Sequence, residues 1–355
     1  MARIAIVCEP PDGGVAEHVF HLMRGLPAHG HEAVLFAPAE FKYAAELPMR
    51  VLPFRRDYSH PHEDARSLGR LYRALDGFDL VHSHSAKSGV IGRVAAKLRR
   101  LPSVYTPHGF PFVGEMSEAR RKFGVVMERA LDPFTDATVC VCEFERDLAR
   151  KNGLKARLEV VHNGSPPAPE VESAIAPGGL VIGAVSTLRR AKRIDVLLDA
   201  MPLVLKAVPE ARLVVAGEGP LREELHQQAR DLGLDVEWHD PFVPPPARYL
   251  NGLDAYVLSS NWEAFPIGPL EAMACGVPQV VSAVGGTGES VVPETGIRVP
   301  PREPEALAAA IIELLQDPER RARMSAASRR RHAEHFTVDR QVAGTARVYD
   351  SLLRR

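Results

Sequence analysis

Two glutamates separated by seven residues, Glu263 and Glu271, bracket the stretch of this chain best suited to chemistry. A short apolar strand ends at Leu258, a loop carries Glu263, and a helix is expected to begin with Gly268 as its cap and Pro269 as its first residue. Glu271 then falls in the first helical turn. The free N–H groups of a helix start, at the positive end of its dipole, form a ready site for a diphosphate. A carboxylate beside them can accept two hydrogen bonds from a ribose diol, and Glu263 would face whatever lies beyond the phosphates. A lone first-turn Glu most often caps its own helix. Against that stands the conjunction, in one ordered stretch, of Glu263, Phe265-Pro266, Pro269-Leu270-Glu271-Ala272-Met273 and Gly276-Val277-Pro278.

The elements that must position this stretch follow a regular rhythm. Short apolar runs at 3–8, 32–37, 80–82, 103–106, 137–141 and 158–162 alternate with amphipathic helical stretches near 16–28, 63–74, 89–98, 118–131 and 143–152. Such alternation predicts an α/β fold, a parallel sheet with helices on both faces, and the strands lack polar alternation as doubly covered strands do. Residues 165–179 carry too much proline and glycine for an element interior and read as a linker. The rhythm restarts with strands at 180–185, 212–216, 236–239, 255–258 and 279–282, and closes with helices near 303–317, 318–336 and 339–353. The expected domains are therefore 1–168 and 169–337, with 338–355 as a closing helix. Ligands of open parallel sheets bind beyond the carboxyl ends of the strands, so the site is expected in a cleft between two doubly wound domains.

Composition narrows the class. The chain has 355 residues, 44 Lys+Arg against 45 Asp+Glu, a net charge of -1 and 45% hydrophobic residues, which excludes a largely disordered protein and argues against nucleic acid as a partner. The first residues enter a buried strand directly, no apolar run reaches the ~18 residues of a membrane span, and a cytoplasmic location is expected. Cys8, Cys140, Cys142 and Cys275 lack zinc spacing and read as reduced core thiols.

With these residues in view, the sequence resembles the retaining, metal-independent nucleotide-sugar glycosyltransferases of the GT-B fold, glycosyl transferase family 4 (group 1). Glu-x7-Glu is the hallmark of that group, and further pieces follow in its order: Gly13-Gly14-Val15, Gly30-His31-Glu32, His82-Ser83-His84, Thr106-Pro107-His108-Gly109, Asn163-Gly164 and Gly217-Glu218-Gly219-Pro220-Leu221. The likeness spans about residues 3–350. It implies two Rossmann-like domains, an N-terminal one for the acceptor and a C-terminal one for the donor, facing a central cleft, with the last helix crossing back to the N-domain.

The resemblance also implies roles. Glu271 would hold the donor ribose and Glu263 the sugar hydroxyls. Backbone of Phe265, Pro266, Ile267, Gly268, Pro269 and Leu270 would line sugar and phosphates, with Gly14 and Gly217 also on the donor. His108 would reach the donor sugar. The family's basic pair grips the leaving diphosphate, but Thr187 stands where its Arg usually sits; Arg189 with Lys192 is the candidate pair and Arg190 the alternative. Gly13, His18, His84 and Lys87 are expected on the acceptor side. No metal and no cofactor are implied, only a nucleotide-diphosphate sugar of UDP or GDP type as co-substrate.

The activity implied is hexosyl transfer to an acceptor hydroxyl in cell-envelope polysaccharide or glycolipid assembly. A small soluble natural-product acceptor, or a GT-B sugar-nucleotide epimerase, is the alternative. Segment 87–100 carries Lys87, Arg93, Lys97, Arg99 and Arg100 without an acidic residue. It reads equally as a peripheral contact at the inner face of a membrane and as a solvated helix face.

Overall fold

The computed structural model describes residues 1–54 and 61–354. The chain forms two compact units, one of Met1–Gly164 with Val338–Arg355 and one of Ser165–Thr337. Unit 1 runs β1 (Ala2–Cys8), α1 (Gly13–Gly25), β2 (His31–Ala37), β3 (Met49–Val51), α2 (Pro61–Ala74), β4 (Leu80–His84), α3 (Ala86–Arg99), β5 (Ser103–Thr106), α4 (Glu118–Leu131), β6 (Ala137–Cys140), α5 (Glu143–Lys151) and β7 (Arg157–Val160). Unit 2 runs β8 (Leu180–Val185), α6 (Ile194–Ala207), β9 (Ala211–Ala216), α7 (Arg222–Asp231), β10 (Val236–His239), α8 (Ala247–Leu250), β11 (Ala255–Leu258), α9 (Ile267–Cys275), β12 (Gln279–Ser282), α10 (Thr287–Ser290), β13 (Gly296–Val299), α11 (Pro304–Gln316) and α12 (Pro318–His335). The last helix, α13 (Val338–Leu353), belongs to unit 1.

Each unit is a parallel sheet, ordered β3-β2-β1-β4-β5-β6-β7 in the first and β10-β9-β8-β11-β12-β13 in the second. The order reverses direction between β1 and β4, and again between β8 and β11. At such a point the loops leaving two neighbouring strands diverge to opposite faces and leave room for a ligand at the strand ends. The central strands are largely buried because helices cover both faces: Ile4 and Ile6 pack with α1 and α13 residues such as Leu22 and Tyr349, while Ala5 and Val7 pack with Leu71 of α2 and Ile91 of α3. In unit 2 the largest cluster gathers Leu197 and Met201 of α6, Val215 of β9, and Ile311 and Leu314 of α11. All four cysteines are buried.

Helix α13 is held to unit 1 by polar bonds as well as packing. Tyr349 Oη lies 2.5 Å from His82 Nδ1, whose other nitrogen is 2.8 Å from Thr106 Oγ1. Gln341 accepts from the Gly164 amide at 2.8 Å and donates to the His18 carbonyl at 3.2 Å.

Helix α3 corrects the reading of segment 87–100. Arg93 is 1% exposed and forms a two-pronged pair with Glu128 of α4, at 2.8 and 3.2 Å. Its Nε donates to the Gly89 carbonyl at 2.8 Å, and its guanidinium lies 3.9 Å from the centre of the Tyr105 ring. Lys87 is buried too and sits 2.9 Å from Asp64. Residues 93, 97 and 100 therefore do not form a solvent-facing basic stripe; Lys97 and Arg100 are exposed, and Arg99 pairs with Asp76. Among the described residues no helix is long and apolar enough to cross a membrane.

Candidate functional site

In unit 2 the reversal of strand order places the loops after β8 and β11 side by side, and the structure stitches them together. The Asn261 amide donates to the Ala191 carbonyl at 2.9 Å, and the Ser259 hydroxyl donates to the carbonyls of Lys192 and Arg193 at 3.0 and 2.7 Å. Lys192 closes a 3-10 turn, Arg190–Lys192, and its ammonium reaches Glu263 Oε1 at 2.6 Å. The Ser260 hydroxyl donates to the same oxygen at 2.7 Å. Glu263 is 8% exposed. A carboxylate this enclosed is stabilised by a directly bonded cation and a hydroxyl, both charge-assisted contacts.

Helix α9 starts at Ile267 with Pro266 as its extended N-cap residue, two positions before the proline expected to lead it. Pro269 still fits, because the first four amides of a helix have no partner within it and a missing N–H there is not felt. Glu271 consequently lies just past the first turn. A side chain at Gly268 would put its Cβ 2.5 Å from the Tyr256 hydroxyl, so the helix start rests directly on β11. Burial, then the charges of Glu271 and Glu263, push the Tyr256 phenol above its ordinary range, and it stays neutral beside both carboxylates.

Two glycines fix the loops. At Gly217, after β9, a Cβ would stand 1.7 Å from the Ser186 carbonyl oxygen. At Gly285, after β12, it would stand 1.7 Å from the Glu263 carbonyl oxygen, in a backbone with φ of 52°. Gly285→Ala should therefore displace the Glu263 loop and destabilise unit 2 by roughly 1–3 kcal/mol, the scale of a backbone forced out of its allowed region. Chemical denaturation checks this; an unchanged midpoint would contradict the clamp.

In unit 1 the order β1-β4-β5 brings three histidines together. Cys8 of β1 is in register with His84 at the end of β4, and His84 with Thr106 at the end of β5, two residues before His108. His84 Nδ1 and His108 Nε2 are 3.0 Å apart. His18, on α1, stands with its ring centre 4.6 Å from that of His108 and 5.4 Å from that of His84. Its Nδ1 donates to Asn163 Oδ1 at 2.9 Å. Burial holds His18 down to about 4 and His84 and His108 well below the usual histidine range, with neighbouring histidines adding to the effect in all three. The three rings are neutral at pH 7. Glu145, 2% exposed, accepts from the amides of Gly109 and Val141 at 2.7 and 2.8 Å and so ties the His108 loop to the start of α5.

Two family models together span nearly the whole chain, "Glycosyl transferases group 1" over residues 170–331 and "Glycosyltransferase Family 4" over residues 12–168. This is a group 1 glycosyltransferase. A D-inositol 3-phosphate glycosyltransferase of Thermobispora bispora is 29% identical, covering all of this chain and 95% of the relative. Among solved structures, sucrose-phosphate synthase from Thermosynechococcus elongatus matches with a TM-score of 0.85 at 20% identity over both full chains. Anabaena Alr3699/HepE, solved with UDP and glucose, matches at the same TM-score, 21% identical, over 99% of this chain and 100% of that one. The fold is GT-B, with sheets of 7 and 6 parallel strands.

In this glycosyltransferase the structure gathers Lys192, Glu263 and the α9 start with Glu271 in unit 2, and His18, His84 and His108 in unit 1. Phe265, Pro266, Ile267, Gly268, Pro269 and Leu270 form the entry to and first turn of α9. Arg189 and Arg190 are exposed, Arg189 being the N-cap residue of the turn that ends at Lys192. Gly13 and Gly14 open α1. Lys87, read as an acceptor-side residue, is buried and pairs with Asp64 at 2.9 Å.

The sequence reading passed over Arg193, which bonds Asp195 at 2.9 Å and Asn261 at 3.3 Å, and Arg302, which bonds the same Asn261 oxygen at 3.0 Å. It also passed over Ser260, Tyr256, Asn163 and Glu145. Of these, Ser260 lay in the loop that carries Glu263, and Asn163 within a matched motif. Glu145 carried a weaker signal, an acid in the first turn of a helix.

Proposed function

We propose that this glycosyltransferase transfers a hexose, with retention of anomeric configuration and without a metal at the donor, from a nucleoside diphosphate sugar to an acceptor hydroxyl. The observation that carries the reading is the Lys192–Glu263–Ser260 cluster at the β8/β11 reversal, next to the start of α9. Glu271 takes the ribose, the α9 amides and Lys192 take the diphosphate, with Arg189 as second cation, and Glu263 takes sugar hydroxyls. As the bond from the sugar C1 to phosphate oxygen breaks, its electron pair goes to the diphosphate, and fixed cations and helix amides stabilise that growing charge. The acceptor oxygen bonds C1 on the face the phosphate leaves, and the departing phosphate oxygen takes the acceptor proton. Glu263, already bonded by an ammonium and a hydroxyl, is a poor nucleophile, which favours this direct path. Mass spectrometry under turnover should accordingly find no glycosyl adduct on the protein, and an adduct on Glu263 would overturn the path.

The acceptor proposed is a cell-envelope saccharide or glycolipid precursor, handled by a cytoplasmic enzyme. A small soluble acceptor is the second reading, favoured by the full-length likeness to an enzyme named for D-inositol 3-phosphate. The donor site is tested by thermal unfolding with UDP, GDP, ADP and dTDP, with and without EDTA. A ligand at 100 times its Kd adds about 2.7 kcal/mol, so one nucleotide should raise Tm equally in both series. No shift with any nucleotide would overturn the donor assignment.

A further inference from the structure

We propose that His18, His84 and His108 form a transition-metal site in unit 1, taking Zn²⁺ or a similar borderline divalent cation such as Co²⁺ or Ni²⁺. One nitrogen from each of the three rings lies within 4.8 Å of the others. His18 and His84 are 1% and 0% exposed, yet the Nε2 atoms of both have no hydrogen-bond partner among the described residues. A buried polar atom without a partner destabilises a fold, and here two such atoms belong to rings of the same cluster.

The supporting contacts fit a metal better than another guest. Asn163 Oδ1 can only accept, so His18 carries its proton on Nδ1 and presents a lone pair at Nε2. An outer hydrogen bond of this kind sets the tautomer of metal-bound histidines generally. A cluster made of imidazoles alone suits Zn, Cu, Ni or Co and is a poor match for Mg or Ca, which prefer oxygen. Three histidines leave a fourth position for water or a ligand oxygen. Zn–N bonds of about 2.0–2.1 Å require the three nitrogens to draw closer than they stand here. His108, the least buried of the three rings, is the one that shifts, by turning about its side-chain torsions, and its contact with His84 is the one that gives way.

The site uses His108, the residue expected to reach the donor sugar, so binding of the nucleotide alone, assigned to unit 2, is the control that separates the two readings. Its test uses the full chain, stripped of metal and titrated with Zn²⁺ by calorimetry and with Co²⁺ by visible absorption. The wild type should bind one equivalent, and X-ray absorption of the zinc form should show imidazole nitrogens at about 2.0–2.1 Å. His18→Asn and His84→Asn should each abolish stoichiometric binding. Asn163→Ala, which removes the orienting bond, should weaken it by about 10–100-fold. His335→Gln, at an exposed histidine on α12, should leave it unchanged. Circular dichroism verifies folding, and if the buried His84 variant unfolds, His108→Asn serves in its place. Absence of a stoichiometric site in the wild type, retention of wild-type affinity in the histidine variants, or equal loss in His335→Gln would each overturn the proposal. The nucleotide shift in unit 2 is expected in all these variants, so failure here is distinguishable from failure of the donor assignment.

Discussion

Lys192→Ala should lower kcat by about 10²–10³-fold, the cost of removing one preorganised group that meets charge as it develops, while nucleotide affinity changes far less. The ammonium does two things in the free enzyme. It neutralises Glu263 at 2.6 Å, and it presents a fixed positive charge where the loops after β8 and β11 are bonded together. An interaction that strengthens only as the diphosphate departs appears in turnover and not in ground-state binding. Lys192→Arg keeps the charge but spreads it over a planar fork that does not match a site shaped for a compact ammonium, so it should recover only part of the loss. Steady-state kinetics paired with calorimetric nucleotide binding make the distinction. An equal fall in kcat and in nucleotide affinity would mean that Lys192 only binds. An unchanged kcat would remove it from the reaction.

The second large effect is on stability. Removing either partner of the Arg93–Glu128 pair should destabilise unit 1 by about 3–5 kcal/mol, because the remaining charge stays buried without its counter-ion. Both side chains are nearly inaccessible, at 1% and 2% exposure, and Glu128 also accepts from the Tyr105 hydroxyl at 3.2 Å. Burial, followed by the Glu128 charge, pushes that phenol well above its usual range, so Tyr105 is a donor to Glu128 at neutral pH. The double variant Arg93→Met with Glu128→Leu should recover most of the loss, since well-packed apolar groups often replace a buried pair at little cost. Chemical denaturation of the two single variants and the double variant gives the coupling directly. Single losses below 1 kcal/mol would show that water reaches the pair.

Much of this was legible in the sequence for one reason: strands covered on both faces are written as uninterrupted apolar runs, as in Ile4 to Cys8 or Leu180 to Val185. The segments missed are those where that reason lapses. β3 and β13 are edge strands with partly exposed residues, so Met49–Val51 and Gly296–Val299 each mix an arginine into a short run. α10 is a single turn. Pro269 misled the start of α9 because proline is tolerated throughout the first turn and so marks it only loosely. Arg93 and Lys87 were read as surface because a charge on a helix carries no sign of the acid it will meet. Glu128 lies 35 residues from Arg93, and only the packing of α3 on α4 joins them. The histidines were visible one at a time, at strand ends and on the first helix. Their convergence follows from strand order, which a list of strands does not contain.

The discontinuity of unit 1 has a bearing on how the chain is made. Its closing helix, α13, leaves the ribosome only after all of Ser165–Thr337 has been synthesised, a delay on the order of ten to thirty seconds at about 5–20 residues per second. Until then the groove that receives Val342, Ala346, Tyr349 and Leu352 is uncovered, and His82 lacks its tyrosine. While unit 2 is being made, the nascent chain therefore carries an N-terminal unit that lacks its last helix, and that interval is when a holding chaperone has an apolar surface to bind.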